Sequence, residues 1–225
     1  MRRVAIVLAG GSGGRKTLLV QTLDRVQPVF GEENTYVIAG RDLESPILET
    51  FPSLNSRLFA EPERRKTAGA IVWGIALLSI LLDEDDLSFG IFPSDHVASD
   101  AKAFETDARL ALDASEQTNE LVTIGIQPNS GLLFCRLHTF ESEIRSYCVE
   151  HAIIYDEIRA RLREGNTHLA RNAFAKLPSI TIEQALLERS HALRVLEARF
   201  AWDDLQYSDG PSTMVPGAKE GNVTF

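Results

Sequence analysis

VAIVLAGGSGGRKTLL, residues 4–19, joins an unbroken apolar run to five small residues and then to the start of a helical pattern. Val4 to Leu8 shows no polar alternation, so both faces of the run call for burial, as in a parallel strand covered on two sides. Leu18, Leu19, Thr22, Leu23 and Val26 then recur at helical spacing within Thr17 to Val26, and Thr35 to Ala39 reads as a second short strand. The alternation continues with a helix over Ala68 to Leu82, a strand over Leu87 to Phe92, a helix over Lys102 to Glu116 and a strand over Leu121 to Ile126. Such an order predicts an α/β fold with a mixed, mostly parallel sheet and helices on both faces.

Past Pro128 the pattern changes to an apolar strand over Leu132 to Leu137, a helix-rich stretch from Thr139 to about Arg163, a helix from Ile182 to about Glu188 and a strand from Leu193 to Phe200. Residues 207–225 are rich in Gly, Pro, Ser and Asp and read as a loop or tail, one that leads into a further segment if the protein continues. The expected organisation is one unit over residues 1–206, since 225 residues with 44% hydrophobic content suit one larger domain. A net charge of -9 argues against a nucleic-acid or anionic-membrane partner, because a phosphate-tracking surface needs excess Lys and Arg. Cys135 and Cys148 match neither a zinc motif nor a disulfide framework and read as buried thiols of a reducing, cytoplasmic compartment. Arg2 and Arg3 before an apolar run have the look of a signal peptide, but the run is short and passes directly into glycines. Ala68 to Leu82 is too short to span a bilayer and is interrupted by Gly69, Gly74 and Ser79.

Gly10 to Gly14 after a buried strand suit a phosphate cradle, with backbone N–H groups unobstructed and Arg15 to neutralise charge. A tight strand-to-helix turn without a ligand is the plain alternative. A dinucleotide fingerprint fails because Lys16 stands where its third glycine is required. GGSGGRKT, residues 10–17, approximates a P-loop, yet Arg15 replaces its second glycine; Gly10-x-Ser12-x-Gly14 fits a nucleophile elbow, with His96 and several acids as nominal triad partners.

Leu8 to Arg15 resembles the opening signature of sugar-phosphate nucleotidyltransferases. Further segments resemble mannose-1-phosphate guanylyltransferases and occur in their order: Glu61-Pro62-Glu63-Arg64-Arg65-Lys66-Thr67-Ala68, Phe92-Pro93-Ser94-Asp95-His96, Val122 to Pro128, Asn129-Ser130-Gly131, Ile180-Thr181-Ile182-Glu183 and Phe200-Ala201-Trp202-Asp203-Asp204. The resemblance runs from Val4 to Asn222. It implies a Rossmann-like nucleotidyltransferase fold and an Mg²⁺-dependent transfer of a guanylyl group from GTP to mannose 1-phosphate, giving GDP-mannose and pyrophosphate. A homodimer is implied on the same footing.

Joining two anions at the α-phosphorus requires positive charge and in-line positioning, which an oxygen-ligated Mg²⁺ supplies. By resemblance Asp95 and Asp204 hold that metal and Arg15 steadies the triphosphate, as the catalytic set. Asp95 alone is as well read as a turn or capping residue. His96 reads as a packing or supporting histidine. Leu8, Ala9, Gly10, Gly11, Ser12, Gly13, Gly14, Glu61, Arg65, Thr67, Ala68 and Asp95 are the implied nucleotide contacts, Glu61 accepting from a guanine edge. Arg64 would add charge beside Arg65, although Glu-Arg-Arg-Lys taken alone is an ordinary charged turn. Gly125, Asn129, Glu183 and Glu188 are the implied sugar contacts.

The chain departs from the family pattern in several places. Lys66 replaces an asparagine and Glu183 an aspartate. A Leu-Trp-Pro segment with its lysine is absent after Arg15, so Lys16 is not assigned as the catalytic lysine. A glycine-tyrosine-glycine stretch is absent near Pro128 and Asn129, and a glycine and tryptophan after Leu205. Mobile substrate-facing loops left out of a consecutive numbering would explain this. So would true deletions in a nucleotide-sugar-binding regulator with little turnover. Transfer to another sugar 1-phosphate is the alternative within the enzyme class.

Overall fold

The computed structural model describes residues 1–10, 16–84, 86–125 and 132–204. The elements run β1 (Arg2–Ala9), α1 (Lys16–Phe30), β2 (Thr35–Gly40), α2 (Glu44–Thr50), β3 (Leu58–Glu61), α3 (Lys66–Leu81), β4 (Leu87–Pro93), β5 (His96–Ala98), α4 (Ala101–Thr118) and β6 (Leu121–Ile124). They continue with β7 (Leu132–Arg136), α5 (Leu137–Tyr147), α6 (Val149–Arg163), α7 (Thr167–Phe174), β8 (Leu193–Leu196) and β9 (Trp202–Asp204). Seven strands form one sheet in the order β3-β2-β1-β4-β7-β6-β8, and β5 pairs with β9 in a two-stranded ribbon. Within the sheet β7 runs antiparallel to β4 and β6, and all other pairings are parallel. The mixed, mostly parallel sheet expected from the sequence is therefore present.

Sequence explains why β1 is central. Val4 to Ala9 are all buried, with even-numbered residues packing into one apolar cluster and odd-numbered residues into the other. The two clusters lie on opposite faces, as the two-residue period of a strand requires. On one face sits α3, apolar nearly all round and buried at ten of its positions, with α6 and α7 packed outside it. A helix with no polar face is stable only inside such a layer. Trp73 of α3 meets Phe174 of α7 edge to face, ring centres 5.6 Å apart. Cys135 and Cys148 are free, buried and part of this same cluster. On the other face α1 and α4 supply Leu19, Leu23, Val26, Phe104, Ala108 and Leu112.

The helix ends are marked in the sequence. Asp100 caps α4 by accepting from the Lys102 and Ala103 N–H groups at 2.9 and 3.0 Å, and Asn119 closes it in a left-handed conformation, φ 55°. Gly31, at φ 84°, ends α1. No described helix is long and apolar enough to cross a membrane.

Several boundaries differ from those expected. The strand anticipated from Leu193 to Phe200 stops at Leu196, because Arg199 and Phe200 turn instead toward α4. The helix expected from Ile182 to about Glu188 is present as a single π turn over Glu183–Leu187, with Glu188 N donating to the Glu183 carbonyl at 2.9 Å. The Ile182 N–H is taken by Thr67 Oγ1 at 2.9 Å, so this turn starts from a fixed external contact. Elements β3, α2, α7 and the β5–β9 ribbon are additional to the sequence reading. Residues 207–225 and the three junctions where family segments are absent lie outside the described residues.

Candidate active site

The carboxyl ends of the parallel strands face one edge of the sheet, where open α/β folds bind ligands. Register places Glu61 beside Gly40, Ala39 beside Ala9, and Leu8 beside Pro93. Glu61, Gly10 and the turn carrying Asp95 therefore share that edge. From β3 to β4 are three strand spacings, about 15 Å, the span of an extended nucleoside triphosphate. Gly125 follows β6 on the far side of β4, with its N–H on the Leu196 carbonyl at 3.2 Å.

Gly10 is exposed, and among the described residues a Cβ added there would meet nothing within 4 Å. Leu8 and Ala9 are buried beneath it, and the Leu8 carbonyl accepts from the Ser94 N–H at 3.0 Å. That bond ties the glycine-bearing end of β1 to the Asp95 turn. Gly11, Ser12, Gly13, Gly14, Arg15 and Asn129 lie outside the described residues.

Asp95 stands between β4 and β5, with Oδ1 3.8 Å from Nε2 of the buried His96. Across the ribbon Asp204 pairs in register with His96, Asp203 with Val97, and Trp202 with Ala98. The ribbon thus brings the two acids singled out from sequence to within one residue of direct opposition, although they are 109 positions apart in the chain. It is held from behind at both strands. The buried Arg25 of α1 donates to the His96 carbonyl at 2.6 Å. Buried Asp107 of α4 accepts from the Arg199 N–H at 2.8 Å and from its Nε at 2.5 Å, and Phe200 packs against Phe104 at 5.4 Å between ring centres. Ala201 and Ser99 join the strand ends, backbone to backbone at 3.1 Å.

Glu61 is 8% exposed and accepts from the Arg65 N–H at 3.2 Å. Burial pushes its carboxyl up to about 7, against the lowering effect of that N–H and of Arg64 and Arg65. Arg64 pairs with Asp42 at 2.8 Å, both exposed. The Arg65 guanidinium is engaged with Glu63 and with the Ala175 carbonyl past α7. Thr67 and Ala68 open α3, and both hold the 180–182 segment, the Ala68 N–H by donating to the Ile180 carbonyl at 3.3 Å. The implied base-reading and sugar-reading segments therefore meet at the start of α3. Glu183 is half-buried there, and burial raises its pKa with a smaller contribution from Glu188, which is exposed.

Among the described residues no three His, Cys, Asp or Glu side chains assemble into a metal cage. Two carboxylates suit Mg²⁺ all the same, because that ion keeps several waters and uses one or two protein oxygens beside substrate phosphates. The backbone pairing of Asp204 beside Asp95 is compatible with such a site.

Sequence reading missed Arg25, Asp107 and Arg199. A signal was available for two of them. Arg25 interrupts the apolar stripe of α1 and Asp107 that of α4, and a charge on a buried stripe needs a partner.

No family model matches the chain. Mannose-1-phosphate guanylyltransferase of Sinorhizobium fredii is 24% identical to it over 93% of the chain and 51% of the relative. The chain resembles mannose-1-phosphate guanylyltransferase along most of its length. The xanthan biosynthesis protein XanB of Xanthomonas campestris is 25% identical over 85% of the chain and 51% of that protein. A structure solved as mannose-1-phosphate geranyltransferase from Thermus thermophilus superposes with a TM-score of 0.77 at 23% identity, covering 91% of this chain and 76% of that one. The fold is thus that of the nucleotidyltransferases, as the motifs implied. The chain spans about half the length of the curated relatives it matches. The first alignment extends over 265 positions, more than the 225 residues of the chain, so it opens gaps in this sequence.

Proposed function

We propose that the protein transfers a guanylyl group from GTP to mannose 1-phosphate, yielding GDP-mannose and pyrophosphate. The pairing of Asp204 opposite His96, next to Asp95, at the edge that also carries Gly10 and Glu61, is the observation that carries this reading. Glu61 accepts from the base, the N–H groups around Gly10 and the Arg15 guanidinium hold the triphosphate, and Asp95 and Asp204 hold Mg²⁺. When bound, Mg²⁺ offsets the negative charge of the phosphates. Gly125, Asn129, Glu183 and Glu188 orient the sugar phosphate so that one of its oxygens attacks the α-phosphorus in line with departing pyrophosphate. A P–O bond forms as another breaks, and no covalent enzyme intermediate is required.

Pyrophosphate release with GTP, mannose 1-phosphate and Mg²⁺ tests this directly, beside Asp95→Ala and Asp204→Ala. Release that requires the sugar phosphate and disappears in both variants supports the reading, and replacing mannose 1-phosphate with other sugar 1-phosphates defines the acceptor. A second reading is favoured by the gaps in the alignment: a nucleotide-sugar-binding regulator with little turnover. GDP-mannose binding without pyrophosphate release would select it.

A further inference from the structure

Arg25 is anomalous on the buried stripe of α1. Thr22, Leu23 and Val26 beside it are core residues, and Arg25 itself is 8% exposed. Among the described residues its guanidinium meets no carboxylate. Nη2 donates to Thr22 Oγ1 at 2.9 Å and to the His96 carbonyl at 2.6 Å, and Cζ lies 5.6 Å from the centre of the Phe104 ring. Nε has no hydrogen-bond partner there. Enclosing a guanidinium with so little compensation is unfavourable, and burial lowers its pKa to about 10. Leucine or methionine would fill the space without that penalty, so packing alone does not account for the residue.

The ribbon shows what the donor does. Ser99 N donates to the Ala201 carbonyl, which makes 99 and 201 a hydrogen-bonded pair. Bonded and non-bonded pairs alternate along an antiparallel ladder, so Val97 with Asp203 is a bonded pair and His96 with Asp204 a non-bonded one. The two Cα atoms of a non-bonded pair approach to about 4.5 Å, and its carbonyls point outward from the ribbon. The His96 carbonyl is therefore on the side of β5 away from β9, where α1 lies, and Arg25 is the donor that reaches it. Phe104, under the guanidinium, also packs against Phe200 just ahead of β9.

We propose that Arg25 is a positioning residue for Asp95 and Asp204: by holding the carbonyl of the residue adjacent to both, it fixes the peptide plane and register that set the two acids together. This rests on the reading of those acids as ligands of a divalent cation.

Mn²⁺ binding to the full chain, counted by electron paramagnetic resonance, provides the test, with thermal stability and amide exchange at Val97 and Asp203 measured in parallel. Removing a group that orients a metal ligand weakens binding by roughly 10–100-fold, and Arg25→Met is expected to fall in that range. Exchange at Val97 and Asp203 should quicken while the amides of β1 and β4 hold their protection. Arg25→Lys keeps a cationic donor and is expected to fall between the two. Wild-type Mn²⁺ affinity in folded Arg25→Met overturns the proposal; if that variant does not fold, wild-type affinity in Arg25→Lys does so. Binding in the wild-type chain that Asp95→Asn leaves unchanged would instead remove the cation-site reading itself, a result distinct from a failure of Arg25 alone.

Discussion

At the amino edge of the sheet, charge is met by charge. Arg2 pairs with Glu84, Arg3 with Asp113 and Glu116, Arg136 with Asp86, Arg194 with Glu120, and Arg57 with Glu32, over distances of 2.5 to 3.2 Å. The carboxyl edge is finished differently. Glu61 and Glu183 are withdrawn from water and raised in pKa, and Gly10 is exposed. Its charged supports, Arg25 and Asp107, lie in the layer behind it. Ion pairs that remain partly open to water each stabilise little, so the amino edge is a finished surface with small individual contributions. Buried groups with shifted ionisation are costly to keep, and at this edge they accompany the site proposed above.

Asp107→Ala should give the largest effect. It removes the buried acceptor of the Arg199 N–H and of its half-exposed guanidinium and frees the segment leading into β9, and urea denaturation should show a loss of about 1–2 kcal/mol. If Asp204 holds the cation as proposed, pyrophosphate release is expected to fall at least ~10-fold, as loss of support behind a metal ligand predicts. Lower stability with unchanged turnover would show that this clamp serves the scaffold alone.

Next is the pH dependence of Glu61. Its folded pKa, about 7, lies above the unfolded value near 4.3, so the fold prefers the protonated form. The stabilising contribution is complete below the unfolded value and is lost as pH rises through about 7. Unfolding free energies of wild type minus Glu61→Gln should therefore decline between pH 5 and 8. Over the same range the KM for GTP should decline too, since guanine N–H donors favour the ionised carboxylate. A flat difference would remove burial as the cause.

A smaller change is expected at the opposite edge. Arg3→Met deletes two ion pairs whose arginine is about a third exposed, and should cost about 1 kcal/mol or less. Both kcat and KM should stay within about twofold of wild type, because nothing at that edge reaches the site; a tenfold change in either would break the contrast between edges. The smallest effect concerns Lys66, which opens α3 at φ 58°. Asn tolerates left-handed backbone better than lysine, so Lys66→Asn should raise stability by roughly 0.5–1 kcal/mol in thermal melts.

Lys66 also shows what sequence could reveal. Its departure from an asparagine pattern is visible in the sequence, but the left-handed backbone at the helix start, which asparagine suits better, required coordinates. The central strands were legible because burial on both faces writes itself as unbroken apolar runs, as at Val4 to Leu8 and Leu87 to Phe92. By contrast β5 and β9 have three residues each, and their pairing across 108 positions leaves no local periodicity. Asp95 and Asp204 were found through motif resemblance, and the pairing gives them a common location without fixing their chemistry. Arg25 and Asp107 each break a helical stripe by one residue, too little to reveal what they hold.

The two buried thiols give the molecule internal clocks. Burial pushes Cys135 up to about 12 and Cys148 up to about 11, so neither is appreciably thiolate near neutrality, the form that alkylating reagents attack. Cys135 lies within β7 in the middle of the sheet, whereas Cys148 lies between α5 and α6, its Sγ donating to the Ala185 carbonyl at 2.7 Å. Modification of Cys148 would time a local lifting of the helical layer beside Glu183, and modification of Cys135 the opening of the sheet itself. One reagent and one native sequence would then separate breathing from unfolding.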